Sequence, residues 1–284
     1  MMASTTNLQR GDCMSKIIAL DAGHGLFTSG KRVTLNGYAD TREWWLNDRI
    51  IDMVQKELEE NYECTVLRVD DTTGKKDISL ANRVKAANNA NVDVYISMHH
   101  NAGVKGGTGG GTVVFYYSSN IKRRDQAQKL YNYITDETKL YGNRSQQVIK
   151  KGFYVIKNTK MPAFLIENGF MDSVVDVPRI LSADHAKKTA EGLVAFIVEQ
   201  FVLEPLKVSV SAPQKPTEVS QYYPKYSGAK TTLYSAMTSL GIDGSYAHRK
   251  LIAKANDIKL YVGTATQNTQ MYNLLCAGLL KKEI

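Results

Sequence analysis

The sequence predicts an α/β fold: a largely parallel, twisted sheet flanked by helices, followed by a small all-α module. Three observations lead there. Short apolar runs alternate with helical periodicities through the first two hundred or so residues. A polar segment with four prolines, from Glu204 to about Lys225, then interrupts the alternation. Beyond it only helical patterns remain.

The elements follow in order. Lys16–Asp21 is an apolar run that leaves into Ala22-Gly23-His24-Gly25, a buried strand ending in a glycine turn. Leu46, Ile50, Val54 and Leu58 recur at helical spacing behind Thr41-Arg42-Glu43, with Thr41 as the expected cap. Thr65–Val69 reads as a strand. Ser79–Asn89 reads as a helix with Leu80, Val84 and Ala87 on one face. Val92–Met98 is a buried strand ending at His99-His100-Asn101. The glycines of residues 106–111 form a flexible loop leading into strand Thr112–Tyr117. They lack the lysine and the following helix of a phosphate loop. Arg123–Leu140 is helical, Ala163–Ile166 is a strand ending at Glu167-Asn168-Gly169, and Asp184–Phe201 is a last amphipathic helix.

This divides the chain into a tail at 1–13, either disordered or added to the natural start at Met14, a domain over 14–203, a linker over 204–225 and a module over 226–284. In the module, Leu233, Met237 and Leu240, then Leu251, Ile252 and Ala255, then Met271, Leu274 and Leu275 mark three short helices. So small a bundle has a marginal core, which docking on the first domain or homo-oligomerisation would supplement.

Composition bounds the function. No run approaches the roughly 20 apolar residues of a membrane span, and residues 1–13 lack the apolar core of a signal peptide. Three cysteines without a CxxC pattern argue against a disulfide scaffold or a thiolate metal site. Net charge is +8, of which residues 205–284 carry +6 (ten Lys/Arg against four Asp/Glu). That field suits a polyanionic partner: nucleic acid, membrane or an anionic cell wall.

The chemistry concentrates in few residues. Of five histidines, His24, His99 and His100 follow predicted strands, as does Glu167. Ligands of open α/β sheets bind beyond the strand carboxyl ends. His24, His99 or His100, and Glu167 therefore converge at one sheet edge, with Glu43 in reach if its helix starts there. Two imidazoles and a carboxylate form a catalytic zinc environment with one position left open, and a further carboxylate can act as general base. Trp45 is expected in the core and Trp44 partly exposed. His185 and His248 are expected at the surface.

Four local sequences give this constellation a context. Asp21-Ala22-Gly23-His24-Gly25, Glu43 followed by Leu46-Asn47, Ser97-Met98-His99-His100-Asn101-Ala102, and Phe164-Leu165-Ile166-Glu167-Asn168-Gly169-Phe170 resemble, in order, the signatures of zinc-dependent N-acetylmuramoyl-L-alanine amidases of the autolysin and phage endolysin type. The resemblance covers about residues 16–202. It implies that His24, Glu43 and His99 bind Zn2+ and that Glu167 is the general acid/base. His100 departs from the family's small residue; it is expected to be polar filler or a substrate contact. Asn101 is expected to contact substrate or to turn the strand end. The stretch from Gly244 to Asn256, followed by Tyr261-Val262-Gly263-Thr264, resembles small wall-anchoring modules of lysins. The resemblance implies peptidoglycan as substrate and anionic wall polymers as partners of the module, without nucleic acid or membrane. The lack of a signal-peptide pattern favours a phage endolysin, which leaves the host cytoplasm to act on the wall, over a secreted autolysin. Two rivals stand beside this: a wall-binding protein without catalysis, and a nucleic-acid-associated zinc hydrolase that uses Tyr246–Asn256 as a recognition helix.

Overall fold

The run beginning at Lys16 forms strand β1 (Lys16–Ala22), and the computed structural model sets it second in a six-stranded sheet. Residues 15–118, 120–143, 145–206, 221–229, 231–259, 261 and 263–283 are described. The expected tail at 1–13 and most of the expected linker at 204–225 lie outside them.

Among the described residues β1 is followed by α1 (Glu43–Asn61), β2 (Cys64–Arg68), α2 (Leu80–Asn89), β3 (Val94–Asn101), β4 (Thr112–Tyr116), α3 (Ile121–Thr138), β5 (Val148–Lys150), α4 (Tyr154–Lys157), β6 (Ala163–Phe170), α5 (Val177–Ile180) and α6 (Ala183–Phe201). The strand order is β2-β1-β3-β6-β4-β5. The first four strands run parallel, and β4 meets β6 antiparallel. This is the expected largely parallel α/β sheet. The short strand β5 and the single-turn helices α4 and α5 were not expected, because three or four residues carry no periodicity to read.

Two strands run further than their sequences suggest. β3 includes His99 to Asn101, and β6 includes Glu167 to Phe170, because each ladder continues on the other: His99 lies opposite Glu167 and Asn101 opposite Phe170, with an irregularity between. Helix starts follow caps. Ser79, Asn120 and Ser182 accept hydrogen bonds from backbone amides of α2, α3 and α6. Thr41 does not cap α1; Arg42 takes that position without a side-chain bond.

The sheet is covered on both faces. Ile50, Val54 and Leu58 of α1, Leu130 and Ile134 of α3, and Leu193 and Phe196 of α6 pack on Ile18, Ile96 and Ile166. Val84 and Ala87 of α2 and Val155 and Ile156 of α4 pack on Ala19, Tyr95 and Leu165. On α2 the expected apolar face is rotated: Leu80 is exposed, and the guanidinium of Arg83 is buried in its stead.

The three C-terminal helices form as expected: α7 (Leu233–Ser239), α8 (Tyr246–Ala255) and α9 (Ala265–Ala277). Their apolar residues Leu233, Met237, Ile252, Met271 and Leu275 join the same core cluster as α1 and α6. The seam is polar around that contact. Tyr234 Oη donates to Glu57 (3.3 Å), Lys187 donates to Ser235, and Asn268 Nδ2 donates to Glu137 (3.2 Å). Arg249 is only 7% exposed and donates to Asn268 Oδ1. It faces inward rather than lining an outer recognition surface. His248 is half-buried rather than a surface residue, with Glu283 at 2.6 Å from its Nε2. Cys64 and Cys276 are in no disulfide; Cys13 lies outside the described residues.

Burial raises the carboxyls of Glu57, Glu137 and Glu191 at this seam, with Arg249 opposing the shift in each; Glu191 is pushed from the ordinary 4.5 to about 7. A carboxyl whose folded value is raised costs stability once it must ionise, so this contribution is lost as pH climbs from 4.5 through 7. Glu191→Gln is expected to remove it. In thermal unfolding between pH 5 and 8, the variant should lose less of its midpoint than the unaltered chain, and be the more stable at pH 8.

Candidate metal and catalytic site

The strand ends carry the site. β1 ends at Ala22, and the chain turns through Gly23 into His24, whose backbone is left-handed (φ 68°). Gly23 N–H donates to Met98 O (3.0 Å), tying the turn to β3. Glycine is required at 23 for a steric reason. A Cβ there would stand 2.0 Å from Cε1 of the His99 ring, far inside van der Waals contact. The absence of a side chain lets the two histidine rings meet edge to face, with centroids 4.9 Å apart.

Glu43 opens α1 and is 1% exposed. Its Oε1 lies 3.1 Å from His99 Nδ1 and 3.3 Å from His24 Nε2. Its Oε2 is buried without a hydrogen bond; the nearest cation, Lys31 Nζ, stands 3.7 Å away. Burial alone would raise this carboxyl, but hydrogen bonds and charge from His24 and His99 outweigh it and hold Glu43 well below the carboxylate range. For His99, burial opposes protonation, and the Glu43 carboxylate raises the pKa despite it. One ligand atom from each of His24, Glu43 and His99 lies within 4.8 Å of the others. Two imidazoles converging on one oxygen of a buried acid, whose other oxygen lacks a hydrogen bond, fit a divalent metal of the zinc type.

Glu167 sits across the ladder from His99. Burial pushes its carboxyl to about 7, with the His99 charge opposing, and its Oε2 has no hydrogen-bond partner. A carboxyl with such a pKa, across the ladder from His99, is placed to accept and return a proton. A cleft of about 410 Å³ opens between the turn at His24 and the start of α2, with His99 in its wall and Leu80 and Val155 as apolar lining.

The side chains of the other expected residues lie apart from this cluster, while the amide of His100 donates to Glu43 Oε1 (3.3 Å). His100 points to the opposite sheet face, beneath α1, and is 2% exposed. Its Nδ1 donates to Asn47 Oδ1 (2.8 Å), and burial lowers its pKa to about 3, so it is neutral. Asn101 turns its Oδ1 back to the amide of Ala102 (2.8 Å). His185 is buried rather than solvated: its Nε2 accepts from Asn168 (3.2 Å), because the first turn of α6 packs on β6. The tryptophans are reversed. Trp44 is buried beneath Gly74, while Trp45 is 46% exposed under the Arg49 guanidinium. The glycine run is anchored rather than free. Asp172 accepts from the amides of Gly103 and Lys105, and Asp176 from that of Gly111.

Sequence reasoning gave no role to Arg83, which is 1% exposed and bonded to Asp21. A lone arginine on a polar-looking helix announces no burial; the signal available was Asp21, an acid inside an apolar strand that needs a cationic partner.

Comparison with known proteins agrees with this geometry. The family model described as N-acetylmuramoyl-L-alanine amidase matches residues 18–199. The chain belongs to this amidase family. It is 33% identical over 205 residues to the endolysin of Bacillus phage SPP1, covering 71% of this chain and 72% of that one. It is 28% identical over 185 residues to the amidase CwlM of Bacillus licheniformis, where the match spans 64% of the relative's length. Two solved structures superpose with TM-scores of 0.58 at 26% identity: an amidase of Clostridium difficile 630 and the CwlV catalytic domain from Bacillus (Paenibacillus) polymyxa var. colistinus. Each covers 66% of this chain, and 97% and 99% of their own chains respectively.

Zinc at about 100 times its dissociation constant is expected to stabilise the folded chain by about 2.7 kcal/mol. Glu43→Ala should abolish the shift by removing the carboxylate of the cluster, and Gly23→Ala should abolish it by displacing the His99 ring. Differential scanning of the chain with and without the metal measures both.

Proposed function

We propose that the chain is a zinc-dependent N-acetylmuramoyl-L-alanine amidase of endolysin type, hydrolysing the amide between N-acetylmuramic acid and the L-alanine of the stem peptide. The single observation that carries this is the register of β3 on β6: it sets Glu167, a carboxyl near neutrality, opposite His99, which converges with His24 and Glu43. The family match supports the reaction, and the SPP1 endolysin supports the biological setting.

In this reading His24, Glu43 and His99 hold the metal. Bound zinc would polarise the scissile carbonyl and lower the pKa of a coordinated water. The remaining chemistry belongs to the chain. Glu167 takes a proton from the attacking water and returns it to the leaving amine of L-alanine, which a carboxyl titrating near 7 does in both directions at neutral pH. The cleft beside His24 and α2 receives the stem peptide, with Leu80 and Val155 excluding water from one wall. Asn101 and His100 serve the backbone and α1 rather than the substrate.

The module at 226–284 binds anionic wall polymers through its exposed lysines, among them Lys250, Lys254 and Lys259, and so concentrates the enzyme on its substrate. The inward position of Arg249 removes the strongest base-reading side chain from a DNA-recognition helix on α8. No helix among the described residues is long and apolar enough to cross a membrane. Action on the wall after release from the host cytoplasm agrees with this.

Incubation with purified Gram-positive peptidoglycan should release new L-alanine amino termini. Release should stop with chelator and return with zinc. Glu167→Ala should slow it by roughly 10²–10⁴, the range of general acid–base catalysis. Walls bound without any release would instead favour a binding protein, and retention on DNA with a steep salt dependence a nucleic-acid enzyme. In wall pulldown, K250E/K254E/K259E should release the chain into the supernatant while leaving hydrolysis of soluble muropeptides unchanged.

A further inference from the structure

Three successive backbone carbonyls around His24 are each held by a buried side chain. Arg83 Nη1 donates to Ala22 O (3.0 Å), and its Nη2 donates to His24 O (2.8 Å). From the other face of the sheet, Asn47 Nδ2 donates to Gly23 O (3.1 Å). Arg83 is 1% exposed and Asn47 fully buried. Neither side chain is bonded to the side chain of His24, Glu43 or His99; each reaches the turn through its backbone.

Each holder is itself fixed. Arg83 Nε donates to Ile78 O (2.8 Å), its Nη1 pairs with Asp21, and its Nη2 also reaches Asp77 (3.1 Å). Asp21 in turn accepts from Tyr95 Oη (2.6 Å) and Ser97 Oγ (2.7 Å). Asn47 is oriented by His100: because its amide nitrogen faces Gly23 O, its oxygen must accept, and His100 supplies the proton from Nδ1. This gives the adjacent histidines of β3 separate tasks, one at the metal cluster and one behind it.

We infer that Arg83 and Asn47, the latter oriented by His100, are positioning residues that clamp the Ala22-Gly23-His24 turn and hold His24 in its left-handed conformation for metal binding. The inference rests on the metal reading of the site. A residue with a Cβ adopts positive φ seldom, so the turn needs outside restraint to keep it. The planar guanidinium spans two carbonyls at once, which an ammonium cannot do. Partners behind metal ligands characteristically govern affinity by about 10- to 100-fold.

The test uses the full chain and reads zinc affinity by competition with a chromophoric chelator, together with the visible spectrum of the cobalt-loaded protein and the melting midpoint of the metal-free form. Arg83→Lys and Asn47→Ala should each weaken zinc by about 10- to 100-fold and shift the cobalt bands. Ile134→Val, in the core of α3 and remote from the turn, serves as the reference for general destabilisation and should do neither. Should Arg83→Lys fail to fold, Asp77→Ala replaces it, since that side chain is 45% exposed and removes one of the anchors of Nη2; a smaller loss in the same direction is expected. Unchanged affinity and spectra in the variants, or a loss shared by Ile134→Val, would overturn the clamp while leaving the metal site standing. A parent chain that binds no zinc would overturn the metal reading and the clamp together.

Discussion

A nearly inaccessible carboxylate, Glu43, lies between two imidazoles, and the geometry around it depends on that arrangement. Burying an anion is costly unless cations or donors meet it. Here His24, His99 and the amide of His100 all approach one oxygen, and the other oxygen remains without a hydrogen bond. To assemble this, α1 must begin at the mouth of the sheet, β1 must be followed by a residue without a side chain, and β3 must carry a histidine one step beyond its apolar run. The core packing of α1 against the sheet supplies the rigidity that keeps these three arrivals in register.

The sheet edge makes the second carboxylate different from the first. Glu167 is half-buried, and burial and the neighbouring Glu43 work against its ionisation more than the charge of His99, with lesser help from Lys31 and Lys151, favours it. Two acids a few residues' width apart are thereby driven in opposite directions, one firmly ionised and the other near neutrality. Such a division separates a residue suited to holding a cation from one suited to moving a proton.

Much of this was legible in the sequence, and the failures are physical. Apolar runs and helical spacings located nearly every long element, and the residues following the strands marked His24, His99 and Glu167. The ends were less legible: β3 and β6 run on through polar residues because each offers the other a ladder, which no local pattern records. Trp44 and Trp45 were interchanged because helix phase at a first turn depends on what packs there, in this case Gly74. His185 and Arg83 look like surface residues in a linear reading; their burial follows from partners on distant segments, Asn168 and Asp21. In the C-terminal helices, charge counting could not distinguish Lys250, which faces outward, from Arg249, which turns into a seam of carboxylates.

The glycine-rich segment after β3 is held by backbone amides donating to Asp172 and Asp176, and Gly111 packs directly against Gly142. None of these attachments uses a side chain of the segment itself. Val104 is a different case, since its side chain packs on the core, and Lys105 holds a left-handed backbone. The loop's course is independent of the exposed Thr108, and evolution is free to redecorate that position without remoulding the ground it stands on.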